Sequence, residues 1–150
     1  MSKAEIREMR PEEEDHWARM RAELFRISFD EAKEETAAFM AGEHLTLKIV
    51  FVGVVDGDVC AFLEISERIY ADGCYDGPVA YMEGWFVGEK ARGIGVGKAL
   101  VDAAIAWAKS KNYPHLASDA ELTNMDGHRA HEAVGFEEVD RVVQYRMALK

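Results

Sequence analysis

"KARGIGVGKAL", Lys90 to Leu100, puts glycine at every second position, Gly93, Gly95 and Gly97, directly ahead of an apolar-periodic run. The preceding stretch, "VAYMEGWFV", reads as a strand ending at Val87. A strand, a glycine-rich turn and a helix in that order make an anion site. The first N–H groups of a helix have no partner within it, and its dipole favours negative charge there. Glycine permits close approach and left-handed backbone. Two familiar phosphate cradles fail the spacing. A P-loop would need glycine at 92 and Ser or Thr at 99, where Arg92 and Ala99 stand. A dinucleotide fingerprint would need a third glycine at 98 or 100, where Lys98 and Leu100 stand. What remains is Arg-x-x-Gly-x-Gly: Arg92, Gly95 and Gly97.

Outward from this stretch, "GVGKALVDAAIAWAKSK" is an amphipathic helix with Val96, Leu100, Ala104 and Trp107 or Ala108 on its apolar stripe. "HLAS" is a short strand. "NMDGHRAHEAVGF" predicts a helix from Asn124 that stops at Gly135. "EEVDRVVQYRMAL" alternates and predicts a closing strand. Toward the N-terminus, "LTLKIVFVGVVDGDVCAFLEISERI" predicts two strands joined at Asp56-Gly57, a strong hairpin signal. "AEIREMR" reads as an opening strand. "RPEEEDHWARMRAELF" and "SFDEAKEETAAFMAG" read as helices, the second capped by Ser28 or Asp30 and ended by Gly42. The order β-αα-ββ-β-α-β-α-β predicts an α/β fold with a mixed sheet. Residues 1–150 are expected to form a single domain.

Composition narrows the function. The 150 residues carry 18 basic and 28 acidic side chains, a net charge of −10. That disfavours nucleic acid, where affinity comes largely from Lys and Arg on phosphates. It suits a cationic partner, and it also suits solubility alone. No apolar run is long enough to span a membrane, and the start lacks the apolar stretch of a signal peptide. Cys60 and Cys74 follow no metal or redox spacing and read as free thiols in a reducing cytoplasm. His128 and His131 are three apart on a helix, but no acidic or cysteine partner stands at metal spacing, so no metal is expected.

The Arg92-x-x-Gly95-x-Gly97 pattern resembles the pyrophosphate-binding signature of the GCN5-related N-acetyltransferases. The likeness extends to Val87 ending the strand, to Asn124 on a following helix, to the Gly135-Phe136 pair and to the order of elements. Within that superfamily, "YMEGWFV", "WAKSKNYPHLASDAELTN" and "HRAHEAVGFEEVDRVVQYRM" resemble the aminoglycoside 6′-N-acetyltransferases. The resemblance implies a mostly antiparallel mixed central sheet, splayed between strands 4 and 5 and flanked by about four helices. It implies acetyl-CoA as cofactor, held by main-chain amides around Ile94, Gly95, Val96, Gly97 and Lys98. Phe86, Val87, Arg92, Gly93 and Asn124 would complete that site. It implies a cationic aminosugar substrate, a cytoplasmic enzyme, direct transfer through a ternary complex, and a homodimer.

Acetylating an amine requires removing its proton, stabilising an oxyanion and releasing a thiolate. An alkylammonium has a pKa near ~10, so a carboxylate must bind it and take its proton. Glu83, on the strand before the glycine turn, and Asp119, at the end of the next parallel strand, are the candidates. Relatives commonly place a tyrosine seven residues after the asparagine as the acid. His131 stands there in this chain, so His131 and Tyr145 are the alternatives. Trp17, Tyr70, Tyr75 and Trp85, with Asp72, are candidates to line the acceptor pocket. The expected activity is acetylation of the 6′-amine of aminoglycoside antibiotics, a resistance reaction. The alternatives are another amine acceptor (a protein N-terminus, a polyamine, a metabolite) and a non-catalytic coenzyme A-binding module.

Overall fold

The computed structural model describes residues 3–150. Strand β1 (Ala4–Glu8) leads through a 3-10 turn (Pro11–Glu13) into helix α1 (Glu14–Phe25), followed by α2 (Phe29–Met40). Strands β2 (Leu47–Val55), β3 (Asp58–Arg68) and β4 (Val79–Val87) follow, then α3 (Val96–Ser110), β5 (Leu116–Ser118) and α4 (Met125–Ala133). The expected start and stop signals act as read. Ser28 accepts the Glu31 N–H at the start of α2. Arg26 ends α1 in the left-handed region at φ 56°. Asp56 and Gly57 turn the β2–β3 hairpin with φ of 50° and 86°, the primed geometry that suits strand twist.

The five strands lie in sequence order, antiparallel except for β4 and β5, which run parallel. That parallel pairing spans only Ala80 to Met82 against Leu116 to Ser118. Beyond it β5 has ended while β4 runs on to Val87, so the sheet opens on that side. The two faces carry separate cores. One, with Leu63, Ile65, Ala80, Met82 and Val55, packs under the stripe of α3: Val96, Leu100, Val101, Ala104 and Ala108. Trp107 instead stacks on Tyr113 with ring centroids 5.6 Å apart. The other, with Val50, Val52, Val54 and Phe62, is covered by Trp17 and Met20 of α1.

Three glycines set distances across this sheet. A Cβ on Gly53 of β2 would stand 2.7 Å from the buried Val96 Cγ1 at the start of α3. One on Gly84 of β4 would crowd Phe62 and Glu64 at 3.1–3.2 Å. One on Gly88 would meet the Cys60 carbonyl oxygen at 2.6 Å. Each absent methyl permits an approach that no other residue allows.

The closing strand expected over "EEVDRVVQYRMAL" does not form. Residues 136–150 have no strand or helix, and Val142, Val143, Tyr145, Met147 and Leu149 are exposed. Alternation marks a segment able to pair, but a strand exists only when it pairs with an edge, and this segment lies on neither edge of the sheet, β1 or β5.

Candidate active site

The glycine turn forms the expected cradle. Gly93 and Gly95 sit at φ 77° and 86°, and Gly95 is the N-cap of α3. A Cβ on either would meet nothing within 4 Å, so both face open space at the helix start. Glycine is required by the backbone, and the space it fronts is free for a ligand. Gly97, the second residue of α3, lies against Val87 and Trp85, whose indole N–H donates to the Gly97 carbonyl at 3.2 Å. Arg92 is folded back, its Nε donating to the Val87 carbonyl at 3.0 Å. The result is a cleft of about 320 Å³ bounded by Trp85, Val87, Arg92, Lys98 and the glycines, with Ala130, Ala133 and Val134 of the α4 region opposite. A rim of main-chain amides beside an apolar trough fits a ligand with a phosphate-rich part and an apolar arm, as coenzyme A is.

A second cleft, about 480 Å³, opens on the other face of the sheet among Arg21, Phe25, Glu35, Glu64, Ser66, Arg68 and Glu83. Glu83 enters it for a structural reason. Across β3 and β4, Glu64 faces Gly84 but Ile65 faces Met82, so Glu83 is the extra residue of a β-bulge. A bulge bends its strand and re-aims a side chain. Glu83 Oε2 accepts from Ser66 Oγ and from Arg68 Nε at 2.8 Å, and Oε1 accepts from Arg68 Nη2 at 2.7 Å. Burial alone would raise its pKa. The bonds from Arg68 and Ser66, with the Arg68 and Arg21 charges, outweigh that and hold it below the usual carboxylate range.

Asp119 follows β5 and accepts the Tyr81 hydroxyl at 2.5 Å. Burial and then that bond push the Tyr81 phenol well up, so Tyr81 stays protonated and donates. The Arg68 guanidinium lies 3.6 Å above the Tyr81 ring. Glu83 and Asp119 therefore belong to one connected group, joined through Arg68 and Tyr81, on either side of the opening where β5 leaves β4.

Of the two acid candidates, His131 is the organised one. Its Nδ1 is 2.7 Å from the Gly127 carbonyl, its Nε2 is 2.7 Å from Ser118 Oγ, and its ring stands edge-on to Trp85 at 5.3 Å. A carbonyl only accepts, so Nδ1 carries a proton, and Nε2 shares its hydrogen bond with the Ser118 hydroxyl. Tyr145 lies in the exposed tail.

Other expected residues take different places. Trp17 is fully buried beneath the second cleft, its Nε1 donating to Glu64 at 3.0 Å. Phe86 turns away from the cradle and stacks on Phe62 at 6.1 Å. Asn124 caps α4, accepting the Gly127 N–H at 3.0 Å. Ile94 is half-exposed at the lip of the cradle. Tyr70 and Tyr75 lean together at 6.1 Å in the exposed loop, with the Tyr70 hydroxyl on Asp72 at 2.9 Å. Sequence reasoning missed Arg68, Ser66, Tyr81 and the buried group of Arg21 and Glu64. Arg21 Nε and Nη2 hold the two Glu64 oxygens at 2.9 and 2.8 Å. The one available signal was alternation along β3, which puts Glu64, Ser66 and Arg68 on one face.

Comparison with known proteins agrees with this geometry. Residues 7–136 match the sequence model of the Acetyltransferase (GNAT) family. The chain is 42% identical over 135 residues, 89% of either chain, to an aminoglycoside N(6')-acetyltransferase type 1 of Klebsiella aerogenes. It is 35% identical over 146 residues to one of Stenotrophomonas maltophilia, covering 97% of this chain and 94% of that one. A solved structure of AAC(6')-Iy in complex with the bisubstrate analog CoA-S-monomethyl-acetylneamine superposes with a TM-score of 0.87 at 31% identity, covering 97% of this chain and 99% of the other. The open glycine cradle, the sheet that parts after Met82 and the match along nearly the whole length lead to one conclusion: the chain belongs to the GNAT acetyltransferase family.

Proposed function

We propose that this protein is an acetyl-CoA-dependent N-acetyltransferase that acetylates the 6′-amine of aminoglycosides. The observation that carries the reading is the span of β4. It ends at Val87 against the glycine cradle and, four residues earlier, bulges to turn Glu83 into an acidic cleft. One strand thus serves both a coenzyme A site and a cation site. Relatives of similar length are named for 6′ acetylation, and AAC(6')-Iy accommodates a joined coenzyme A and acetylneamine.

Bound in the cradle, acetyl-CoA supplies an activated acetyl group. The protein's residues do the rest. The N–H groups of Ile94 to Lys98 would hold the pyrophosphate, and Arg92 and Lys98, now on the Val87 carbonyl and Asp102, would add positive charge beside it. Glu83 and Asp119 bind the incoming ammonium from the two sides of the opening, and one of them takes its proton, directly or through water. The amine then attacks directly in a ternary complex. His131, bonded to Ser118 and edge-on to Trp85, would be the acid that returns a proton, carried at Nε2, to the departing sulfur. Trp85 lines the cradle side of the acceptor, while Tyr70, Asp72 and Tyr75 form an outer rim for the distal amines. Acetylation removes a positive charge from the drug, which makes the reaction a resistance reaction in a cytoplasmic enzyme.

The protein acts as a homodimer in this reading. Val139, Val142, Val143, Tyr145, Met147 and Leu149 are too apolar to stay solvated, and β5 is the unpaired edge of the sheet.

The test is thiol release with acetyl-CoA and a matched pair of aminoglycosides, one with a 6′-amine and one with a 6′-hydroxyl. The amine is expected to turn over, with the acetyl group placed at N6′ by NMR. The alcohol is expected to stay unmodified, because its far higher pKa exceeds what a single carboxylate activates. Equal turnover, or acetylation at another nitrogen, overturns the 6′ assignment. Activity on a peptide amine alone moves the substrate to another class.

A further inference from the structure

The acidic cleft already contains cations, and they are not held alike. Arg21 has a side chain only 10% exposed. It grips the fully buried Glu64 with two nitrogens and Glu35 with a third. Arg21 and Glu64 are closed on each other, and of the three only Glu35, with a side chain 48% exposed, keeps a free carboxylate oxygen at the cleft. Arg68 is different. Its side chain is 42% exposed, and its partner Glu83 is 25% exposed. Its guanidinium is held by the one carboxylate and by the face of Tyr81, 3.6 Å away. A bidentate pair open to water on one side exchanges its cation without opening the protein, because an arginine at the end of a strand reaches bulk solvent by rotation of its own side chain.

The place Arg68 occupies is the one an acceptor ammonium needs. The guanidinium lies against both oxygens of Glu83 and over the ring whose hydroxyl meets Asp119. Both carboxylates assigned to the acceptor are thus engaged, one directly and one through Tyr81. A carboxylate gripped by a bidentate arginine is a poor proton acceptor, because the charge-assisted bonds favour its ionised form.

We propose that Arg68 is a resident counter-ion that holds the acceptor subsite closed, and that the substrate's ammonium displaces it, freeing Glu83 and the face of Tyr81 together. The proposal rests on the reading of this cleft as the acceptor site. Ser66 stays bonded to Glu83 throughout, so the carboxylate keeps its aim while losing its cation. The exchange is charge-neutral at the site: one cation leaves as another enters. Acceptors without a well-placed ammonium cannot drive it. Arg68 thereby acts as a selectivity residue that rejects neutral sugars, which would have to leave the ion pair intact and find the pocket shortened.

The experiment is calorimetric titration of the coenzyme A complex with kanamycin, for wild type, Arg68→Gln and Arg68→Lys. Arg68→Gln should bind kanamycin at least fivefold more tightly than wild type, with a matching fall in KM. Arg68→Lys, a cation without the fork, should lie between them. Weaker or equal binding by Arg68→Gln overturns the proposal and makes Arg68 a positioning group for Glu83. If wild type itself fails to bind kanamycin, the acceptor-site reading fails instead. A second measurement needs no altered fold. In 15N spectra of the wild-type protein, the Arg68 Nε–H signal, assigned by its loss in Arg68→Lys, should be sharp without acceptor and should broaden or move to the solvent-exposed position when kanamycin saturates. An unshifted signal with kanamycin bound overturns the proposal.

Discussion

Trp17 and Glu64, 47 residues apart, meet inside the protein: the indole N–H donates to the Glu64 carboxylate at 3.0 Å, beside two donors from Arg21. The tryptophan that the sequence offers as an aromatic wall for a sugar is a buried donor to a buried charge. Trp17→Phe removes the donor together with the five-membered part of the buried ring. It should cost about 1–3 kcal/mol of stability, the range for leaving a buried acceptor short of a bond. Urea unfolding measures it. Kanamycin KM should move much less than stability does, whereas a sugar-stacking tryptophan would show the reverse.

Glycine at 95 is required twice over, by a φ of 86° and by the open space in front of it. Gly95→Val should strain the backbone by about 1–2 kcal/mol and place a side chain in the cradle. Coenzyme A affinity, read by calorimetry on the folded variant, should fall at least tenfold. Gly42, at φ 75° with nothing within 4 Å, is the control: it follows α2, far along the chain from the cradle. Gly42→Val should share the strain and leave coenzyme A affinity unchanged.

Glu83→Gln and Asp119→Asn should each retain coenzyme A binding and lose acceptor turnover by about 10²–10⁴, the usual loss on removing a general base. Both variants at wild-type rates would remove the two acids from the chemistry.

Acid stability should depend on two carboxylates held below their ordinary value. Glu13 is lowered chiefly by its hydrogen bond to Arg7. Glu83 is lowered by Arg68 and Ser66 against the opposing effect of burial. A carboxylate with a lowered folded pKa binds fewer protons folded than unfolded. Its contribution is therefore complete above the ordinary glutamate value of 4.5 and drains away as pH falls through the lower folded value. Unfolding free energy should show no loss from these groups between pH 7 and pH 5.5, then fall below the unfolded value. Glu13→Gln should flatten that acid limb, and an unchanged limb would remove Glu13 from the account.

The proposed homodimer predicts that truncation after Phe136 leaves a monomer in light scattering, since the segment beyond it carries a run of exposed apolar side chains. A truncated chain that still elutes as a dimer would place the interface elsewhere.

What could be read from sequence divides along a physical line. The hairpin at Asp56-Gly57, the cap at Ser28 and the cradle at Gly93 to Gly97 were legible because backbone conformation is written locally in glycine and capping residues. Glu83 and Asp119 could be named as candidates because few acidic residues lie on the strand before a phosphate turn or at the end of the next one. Arg68 was not, since its partners Glu83 and Tyr81 are 15 and 13 residues away and meet it only through strand register and a bulge. Tail alternation was read correctly as a pattern and wrongly as a strand. Periodicity reports which side chains share a face, and it says nothing of whose sheet edge they will meet.

Gly53 of β2 has no chemistry and touches no ligand site, yet the height of the cradle above the sheet is set there. A methyl on Gly53 would stand 2.7 Å from Val96, the first residue of α3, and 3.0 Å from Ala61. Val96 is buried, so either its side chain must turn within the core or the start of α3 must move. Gly95 and Gly97 flank Val96 in the chain and would feel either change. A silent-looking strand position thus works as a spacer gauge for the cofactor. Drift at residue 53 would be felt as lost catalysis, with every residue of the active site still in place.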